Sequence, residues 1–199
     1  MDLKEEYNRK KNVIKKRLED FSNIKEEDYF YEACFCILTP QSFAKQCWKA
    51  ILRLKENDFK NKNINLLNYL NDKIRFYINK SKYLIELKEK WPLIKDKLNE
   101  IKNSRELREF LVKNVKGYGY KEASHFLRNI GHTNLSILDR HILRNLFNLK
   151  VINELPKTLT KKKYFEIEQK FIDFSKKVNI PMDELDLLFW SQETGEVFK

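Results

Sequence analysis

Glycine and proline are scarce, with four of each in 199 residues. A β-sandwich or barrel would need more turn-forming residues than that, and apolar residues recur at helical spacing nearly throughout, with no clear alternation. The expected fold is therefore all-α. Cysteine is scarcer still: Cys34, Cys36 and Cys47 all fall in the first quarter, and no C-x-x-C pair occurs. That excludes a disulfide framework, leaves Cys34 and Cys36 as weak candidates for a metal site, and reads as the reduced thiols of an intracellular protein. No apolar run approaches membrane-spanning length, and charge interrupts the N-terminal segment every one or two positions, so a signal-peptide core is missing too. A soluble cytoplasmic protein that folds without disulfide or metal is expected.

What the chain has in excess is positive charge. Forty Lys and Arg against 29 Asp and Glu give a net charge of +11, which reads either as a solvated Lys-rich surface or as an attraction to a polyanion, nucleic acid or acidic membrane. The length suits one large domain or two small subdomains sharing a cleft. Tyr7, Ile14, Leu18 and Phe21 form one helical stripe, and Tyr29 to Leu38 is uniformly apolar and should be a buried helix closed by Thr39-Pro40. Phe43, Cys47, Ala50, Ile51 and Leu54 continue at helical spacing, followed by a polar loop over Lys55 to Asn63. Amphipathic segments are expected over Leu66 to Ile78, Tyr83 to Leu87, after a Ser104 N-cap, and over Tyr164 to Val178 and Met182 to Trp190.

The informative segment is Lys116-Gly117-Tyr118-Gly119-Tyr120-Lys121-Glu122-Ala123-Ser124-His125-Phe126-Leu127-Arg128-Asn129-Ile130-Gly131. Gly117 and Gly119 permit a tight hairpin and allow a phosphate to approach amides at a helix N-terminus. Ala123, Phe126, Leu127 and Ile130 form a buried stripe, Lys121, Ser124, His125 and Arg128 share another face, and Gly131 is a natural stop. A helix, a Gly-x-Gly turn and a second helix make a helix-hairpin-helix, which binds DNA backbone without reading sequence. Lys121 stands in the first turn of its helix, where the positive end of the dipole disfavours an ammonium, so it reads either as an amine nucleophile or as a phosphate contact. Downstream, Asp139 precedes Arg140-His141-Ile142-Leu143-Arg144 as an N-cap; its carboxylate would stabilise positive charge developing at C1′ of a sugar.

Gly119-Tyr120-Lys121-Glu122-Ala123-Ser124-His125-Phe126-Leu127-Arg128-Asn129 and Asp139-Arg140-His141-Ile142-Leu143 together resemble the archaeal-type, second class of 8-oxoguanine DNA glycosylases in the helix-hairpin-helix glycosylase superfamily. The resemblance extends through Cys34 to Thr39, Arg75-Phe76-Tyr77, Leu155 to Leu159, Glu184 to Leu187 and the terminal Thr194 to Lys199, almost the whole chain. It implies two helical subdomains with an active-site cleft between them, approximately 23–133 and 1–22 plus 134–199. Lys121 is then the Schiff-base lysine and Asp139 the essential carboxylate. Phe76 and Trp190 become walls of a base pocket, and the terminal carboxylate of Lys199 becomes the acceptor for the N7 hydrogen that distinguishes 8-oxoguanine from guanine. Gln41 stands where relatives can have asparagine and would fill the gap left by an extruded base. Gly117, Gly119, His125, Arg128 and Arg144 complete the expected DNA contacts. The iron–sulfur loop of endonuclease III relatives is missing, since no cysteine follows Cys47.

The expected activity is that of a glycosylase and abasic-site lyase acting in base excision repair, a monomer on double-stranded DNA containing 8-oxoguanine. It needs no cofactor beyond the monovalent cation that the superfamily implies at the hairpin. Two other readings are a non-catalytic helix-hairpin-helix DNA-binding protein and a glycosylase for oxidised pyrimidines.

Overall fold

The computed structural model describes residues 3–70 and 74–199. Among them the regular elements are a 3-10 turn at Glu26–Asp28 and the helices α1 (Leu3–Ser22), α2 (Tyr29–Leu38), α3 (Ala44–Glu56), α4 (Leu67–Leu70), α5 (Tyr77–Glu100), α6 (Ser104–Asn114), α7 (Tyr120–Asn129), α8 (Arg140–Asn148), α9 (Lys161–Val178) and α10 (Met182–Thr194), with no strand. The all-α expectation holds. The amphipathic segment expected over Leu66 to Ile78 becomes α4 and the start of α5; its residues 71–73, like residues 1–2, lie outside the described residues.

The chain divides into two compact units, Ile24–Phe126 and Met1–Asn23 with Leu127–Lys199. The sequence reading set the limits at 22/23 and 133/134; the second falls earlier, inside α7, because Arg128 already packs with the unit that holds both termini, its guanidinium 4.7 Å from the Phe21 ring centroid.

In the unit Ile24–Phe126 the centre is α2, apolar all round and buried from Phe30 to Leu38. α3 and α5 pack against it. Phe30 meets the Trp91 ring of α5 edge-on at 5.3 Å, and Phe59 joins them from the stretch read as a polar loop, 5.7 Å from Phe30 and fully buried. Burial of such a side chain contributes roughly 1.5–3 kcal/mol, so that loop is pinned at its middle. α5 continues through Pro92, well beyond the expected Tyr83 to Leu87, with the ring on the exposed side between buried Trp91 and Ile94. Two sequence expectations shift locally. The cap of α6 is Asn103, whose side chain accepts the amides of Arg105 and Glu106; Ser104 is the first helical residue. Phe43, counted in the buried stripe of α3, precedes that helix in extended backbone and is 82% exposed.

In the other unit α10 takes the central place, buried continuously from Met182 to Phe189, with α1, α8 and α9 against it. Tyr7 of α1 donates to Glu184 at 2.5 Å and Lys10 donates to the Ser191 hydroxyl at 3.0 Å, tying the N-terminal helix to the C-terminal one. Phe171 of α9 stacks on Phe189 at 6.0 Å.

Candidate active site

The hairpin between α6 and α7 is a tight turn in which the Tyr118 amide donates to the Val115 carbonyl at 3.1 Å. Gly117 has φ +90°, and a Cβ there would fall 2.7 Å from the Tyr83 ring, so both backbone conformation and space demand glycine. Tyr118 turns inward and its hydroxyl donates to the Ala33 carbonyl at 2.9 Å, anchoring the hairpin to α2. Glu122 reaches back to accept the Gly119 amide at 3.0 Å, a helix-capping contact that takes up one of the amides expected to meet a phosphate. The same carboxylate pairs with Lys121 at 2.9 Å. The Gly119 amide is thus engaged by its own helix, and both hairpin glycines are exposed.

Lys121 lies in the first turn of α7 with its side chain 26% exposed, the one partly open cation on a helix otherwise buried from Ala123 to Ile130. That burial takes in two of the residues expected to contact DNA. His125 is 8% exposed and packs edge-on against Phe35 at 5.6 Å. Arg128 is 4% exposed, with its guanidinium 3.6 Å from Asp186 and its Nε donating to Asn129. Both are interior groups, because the face that looked polar in sequence is matched by buried partners; Ser124 likewise receives Arg108, which is itself fully buried.

Gln41 and Phe76 occupy two turns of the same unit. Both are non-glycine residues in left-handed backbone, φ 57° and 59°, and both are exposed, Phe76 by 54% with the Arg75 guanidinium 5.4 Å from its ring centroid. The Arg75 amide donates to the Ser42 hydroxyl at 3.0 Å, joining the two turns. Phe76 is thus a surface aromatic, free of the core role that helical spacing would assign it. Lys80, which the sequence did not single out, lies buried beneath them. The three thiols are buried as well; burial pushes Cys47 up to about 11, and its Sγ–H donates to the Leu38 carbonyl. Cys34 and Cys36 are both enclosed in α2, and no cluster of three or more metal-ligating side chains occurs among the described residues.

Asp139 follows a buried segment without regular structure, Leu135 to Leu138, and no strand occurs among the described residues to pair with it. Besides the Asp139 amide, which donates to the Ile137 carbonyl at 2.7 Å, side chains supply its hydrogen bonds. The Asn134 amide donates to Asp183, the Ser136 amide and hydroxyl donate to Glu168 at 2.9 Å, and Tyr164 donates to the Ser136 carbonyl at 2.6 Å. Asp186 accepts from the Ile137 backbone. Buried acids on α9 and α10 therefore stand in for a neighbouring strand, which is why Glu168, Asp183 and Asp186 lie inside. The segment delivers Asp139 to the N-terminus of α8, where its Oδ1 accepts the amides of His141 at 2.8 Å and Ile142 at 2.9 Å. The expected N-cap is present.

Asp186 is raised to about 7, first by burial, then by the nearby carboxylates Asp139 and Asp183, against the lowering effect of Arg128. Its folded value lies above the ordinary 3.8, so the fold disfavours the ionised form. The associated stability is present below pH 4 and is lost as pH rises toward and through 7, by up to about 4 kcal/mol. Thermal melts between pH 5 and 8 should show this slope, and Asp186→Asn should flatten it even if its overall melting temperature is lower. Parallel slopes in both proteins would exclude Asp186 as the source.

Trp190, near the end of α10, is partly exposed, and the Phe198 ring stacks against it with centroids 6.4 Å apart and planes 28° from parallel. The tail after Gly195 thus folds back over α10, and Lys199 follows the residue that rests on Trp190. Arg144 remains an outward cation, 52% exposed and 3.5 Å from Glu193, and the same carboxylate lies 3.3 Å from His141 Nδ1. His141 is a polar group at the mouth of the Asp139 cap that the sequence reading passed over; its place two residues after the capping aspartate was the available signal.

A family model described as 8-oxoguanine DNA glycosylase matches residues 14–180. The 8-oxoguanine DNA glycosylase/AP lyase of Fusobacterium nucleatum is 50% identical, with 100% of this chain and 96% of that protein covered. The protein of the same name from Methanocaldococcus jannaschii is 41% identical over 95% of this chain and 93% of its own. The crystal structure of the M. jannaschii 8-oxoguanine glycosylase/lyase in complex with a 15mer DNA containing 8-oxoguanine superposes with a TM-score of 0.85 at 37% identity, covering 100% of both chains. With a matching model over most of its length and relatives this similar from end to end, the chain belongs to the 8-oxoguanine DNA glycosylase family.

Proposed function

We propose that this chain is a bifunctional DNA glycosylase and abasic-site lyase that excises 8-oxoguanine from double-stranded DNA in base excision repair, and that it works inside the cell. The observation that carries the reading is end-to-end similarity to enzymes of that activity in a chain with a partly exposed lysine directly after a helix-hairpin-helix turn. The net charge of +11 supports non-specific docking, with Gly117 and exposed Arg144 toward the phosphates. No helix among the described residues is long and apolar enough to cross a membrane.

The target base leaves the stack, with Gln41 entering the gap and Phe76 and Trp190 flanking the extruded base. The Lys121 amine attacks C1′, the N-glycosidic bond breaks with its electron pair going to the base, and Asp139 offsets the positive charge at C1′. The product is an imine between Lys121 and the opened sugar; loss of a C2′ proton then expels the 3′-phosphate by β-elimination, and water releases the lysine. The hairpin offers backbone carbonyls, among them Val115, which accepts one amide and retains a second lone pair. That oxygen donor set suits a monovalent cation contacting phosphate, and the chemistry itself draws on protein groups.

Selectivity rests on the terminal carboxylate of Lys199, the residue that follows Phe198, whose ring stacks on Trp190. 8-Oxoguanine has a hydrogen on N7 where guanine has a lone pair, so the carboxylate would accept from one and oppose the other, a difference of about 1–3 kcal/mol or more. The test is excision from duplexes carrying 8-oxoguanine, an oxidised pyrimidine or guanine, with the wild-type chain, a Lys199 deletion and a chain extended by one glycine. Preferential 8-oxoguanine excision by the wild type and weakened preference in both variants are expected. A preference for oxidised pyrimidine would overturn the substrate, and unchanged selectivity in both variants would overturn the carboxylate.

A further inference from the structure

Left-handed backbone is costly for residues with a side chain and persists where the surroundings enforce it. Gln41 and Phe76 share that conformation in neighbouring turns, and Lys80 lies beneath both at 5% exposure. Its Nζ donates to the carbonyls of Leu38 at 2.7 Å and Pro40 at 2.6 Å and to the Ser42 hydroxyl at 3.1 Å. These acceptors surround Gln41. Ser42 also accepts the Arg75 amide, and the Lys80 amide donates to the Phe76 carbonyl at 3.0 Å, so the same lysine borders the second turn.

The charge environment makes this a deliberate arrangement rather than an ion pair. The groups that face the ammonium are the Cys47 thiol from α3, Lys121 and Glu122 from α7, and Arg75 from the adjoining turn. Two cations oppose it, and burial pushes it down to about 8. An ammonium held there at such cost has one use the structure displays: three donors for three oxygens that converge on a strained turn.

We infer that Lys80 is a positioning residue for lesion recognition, clamping the Gln41 turn and the Phe76 turn into one rigid platform that presents both side chains to the duplex. This rests on the proposal that Gln41 and Phe76 engage the DNA. Neutral apolar replacement releases Leu38, Pro40 and Ser42 together, and the two side chains then sample backbone conformations in which they point elsewhere. Chemistry at Lys121 on a site that already lacks its base depends less on the platform than does extrusion of an intact base.

The experiment compares Lys80→Met, Lys80→Arg, Ser42→Ala, Gln41→Ala and Phe76→Ala with wild type. It reads KM and kcat on an 8-oxoguanine duplex, fluorescence of a 2-aminopurine next to the lesion, and borohydride trapping on a duplex with a preformed abasic site. Lys80→Met should raise KM about tenfold, equivalent to about 1.4 kcal/mol, and lose most of the fluorescence rise, with a smaller change in abasic-site trapping. Lys80→Arg, which keeps charge and donors, should recover part of both, and Ser42→Ala should move both in the same direction by less. If Gln41→Ala and Phe76→Ala impair recognition while Lys80→Met does not, the clamp is wrong and the platform stands. If neither of those two variants changes recognition, the platform itself is wrong. Should Lys80→Met fail to fold, Ser42→Ala decides, and wild-type KM and fluorescence in that variant would overturn the clamp.

Discussion

Lys121→Gln should abolish borohydride trapping and reduce 8-oxoguanine excision by at least about a thousandfold, while leaving the fold and lesion-duplex binding nearly intact. The side chain is 26% exposed and its ion pair with Glu122 is local, so glutamine, which still donates a hydrogen bond to that carboxylate, should change stability by less than about 1 kcal/mol. The variant must be compared with wild type by melting temperature, by titration onto an 8-oxoguanine duplex and by single-turnover trapping. Lys80 is the competitor to consider, because its ammonium gives up a proton more readily than an ordinary lysine. Its geometry argues against it: Nζ is surrounded by three acceptors and the residue is 5% exposed, whereas a nucleophile needs an open approach to C1′. Trapping by Lys121→Gln at the wild-type level would remove Lys121 as the nucleophile and return attention to Lys80.

How much of this was legible in the sequence depends on whether a residue's role is set locally. The hairpin and the Asp139 cap are local devices, defined by glycine spacing and by one polar side chain before a helical stripe, and both appear where the sequence indicated. The apolar α2 and the absence of strands among the described residues followed from composition for the same reason. What misled was burial of polar groups. His125 and Arg128 share a helical face with Lys121, and periodicity alone gives them its exposure; Phe35, Phe21 and Asp186, distant in sequence, enclose them instead. The acids of α9 and α10 that pair the Leu135 to Leu138 backbone were illegible because their partners are main-chain groups, which have no sequence signature. Lys80 was lost among the 40 basic residues, since only the convergence of carbonyls sets it apart. Phe43 was misplaced by one helical turn of extrapolation, beyond the point where α3 begins.

Asp139→Asn should separate charge from capping more cleanly than any other substitution in the chain. Both cap bonds, from His141 and Ile142, go to the same oxygen, Oδ1, and the amide oxygen of asparagine can accept both. Asparagine is among the preferred caps, so the expected loss of stability is a few tenths of a kcal/mol, against about 1 kcal/mol for Asp139→Ala. Activity should behave differently. In the proposed mechanism Asp139 offsets positive charge developing at C1′, and losing such an electrostatic contribution typically costs about a hundredfold to a thousandfold in rate. Single-turnover excision should therefore fall by that factor in Asp139→Asn, with binding to the lesion duplex retained, and Asp139→Ala should add a stability loss without a proportionate further loss of rate. The variant has a second signature away from the chemistry: Asp139 is one of the groups that raise Asp186, so its neutralisation should lower Asp186 and reduce the loss of stability between pH 5 and 8. A drop in melting temperature large enough to account for the lost activity would make Asp139 only a cap. Near-wild-type excision with an unaltered pH slope would leave it neither an electrostatic partner of the reaction nor a neighbour of consequence to Asp186.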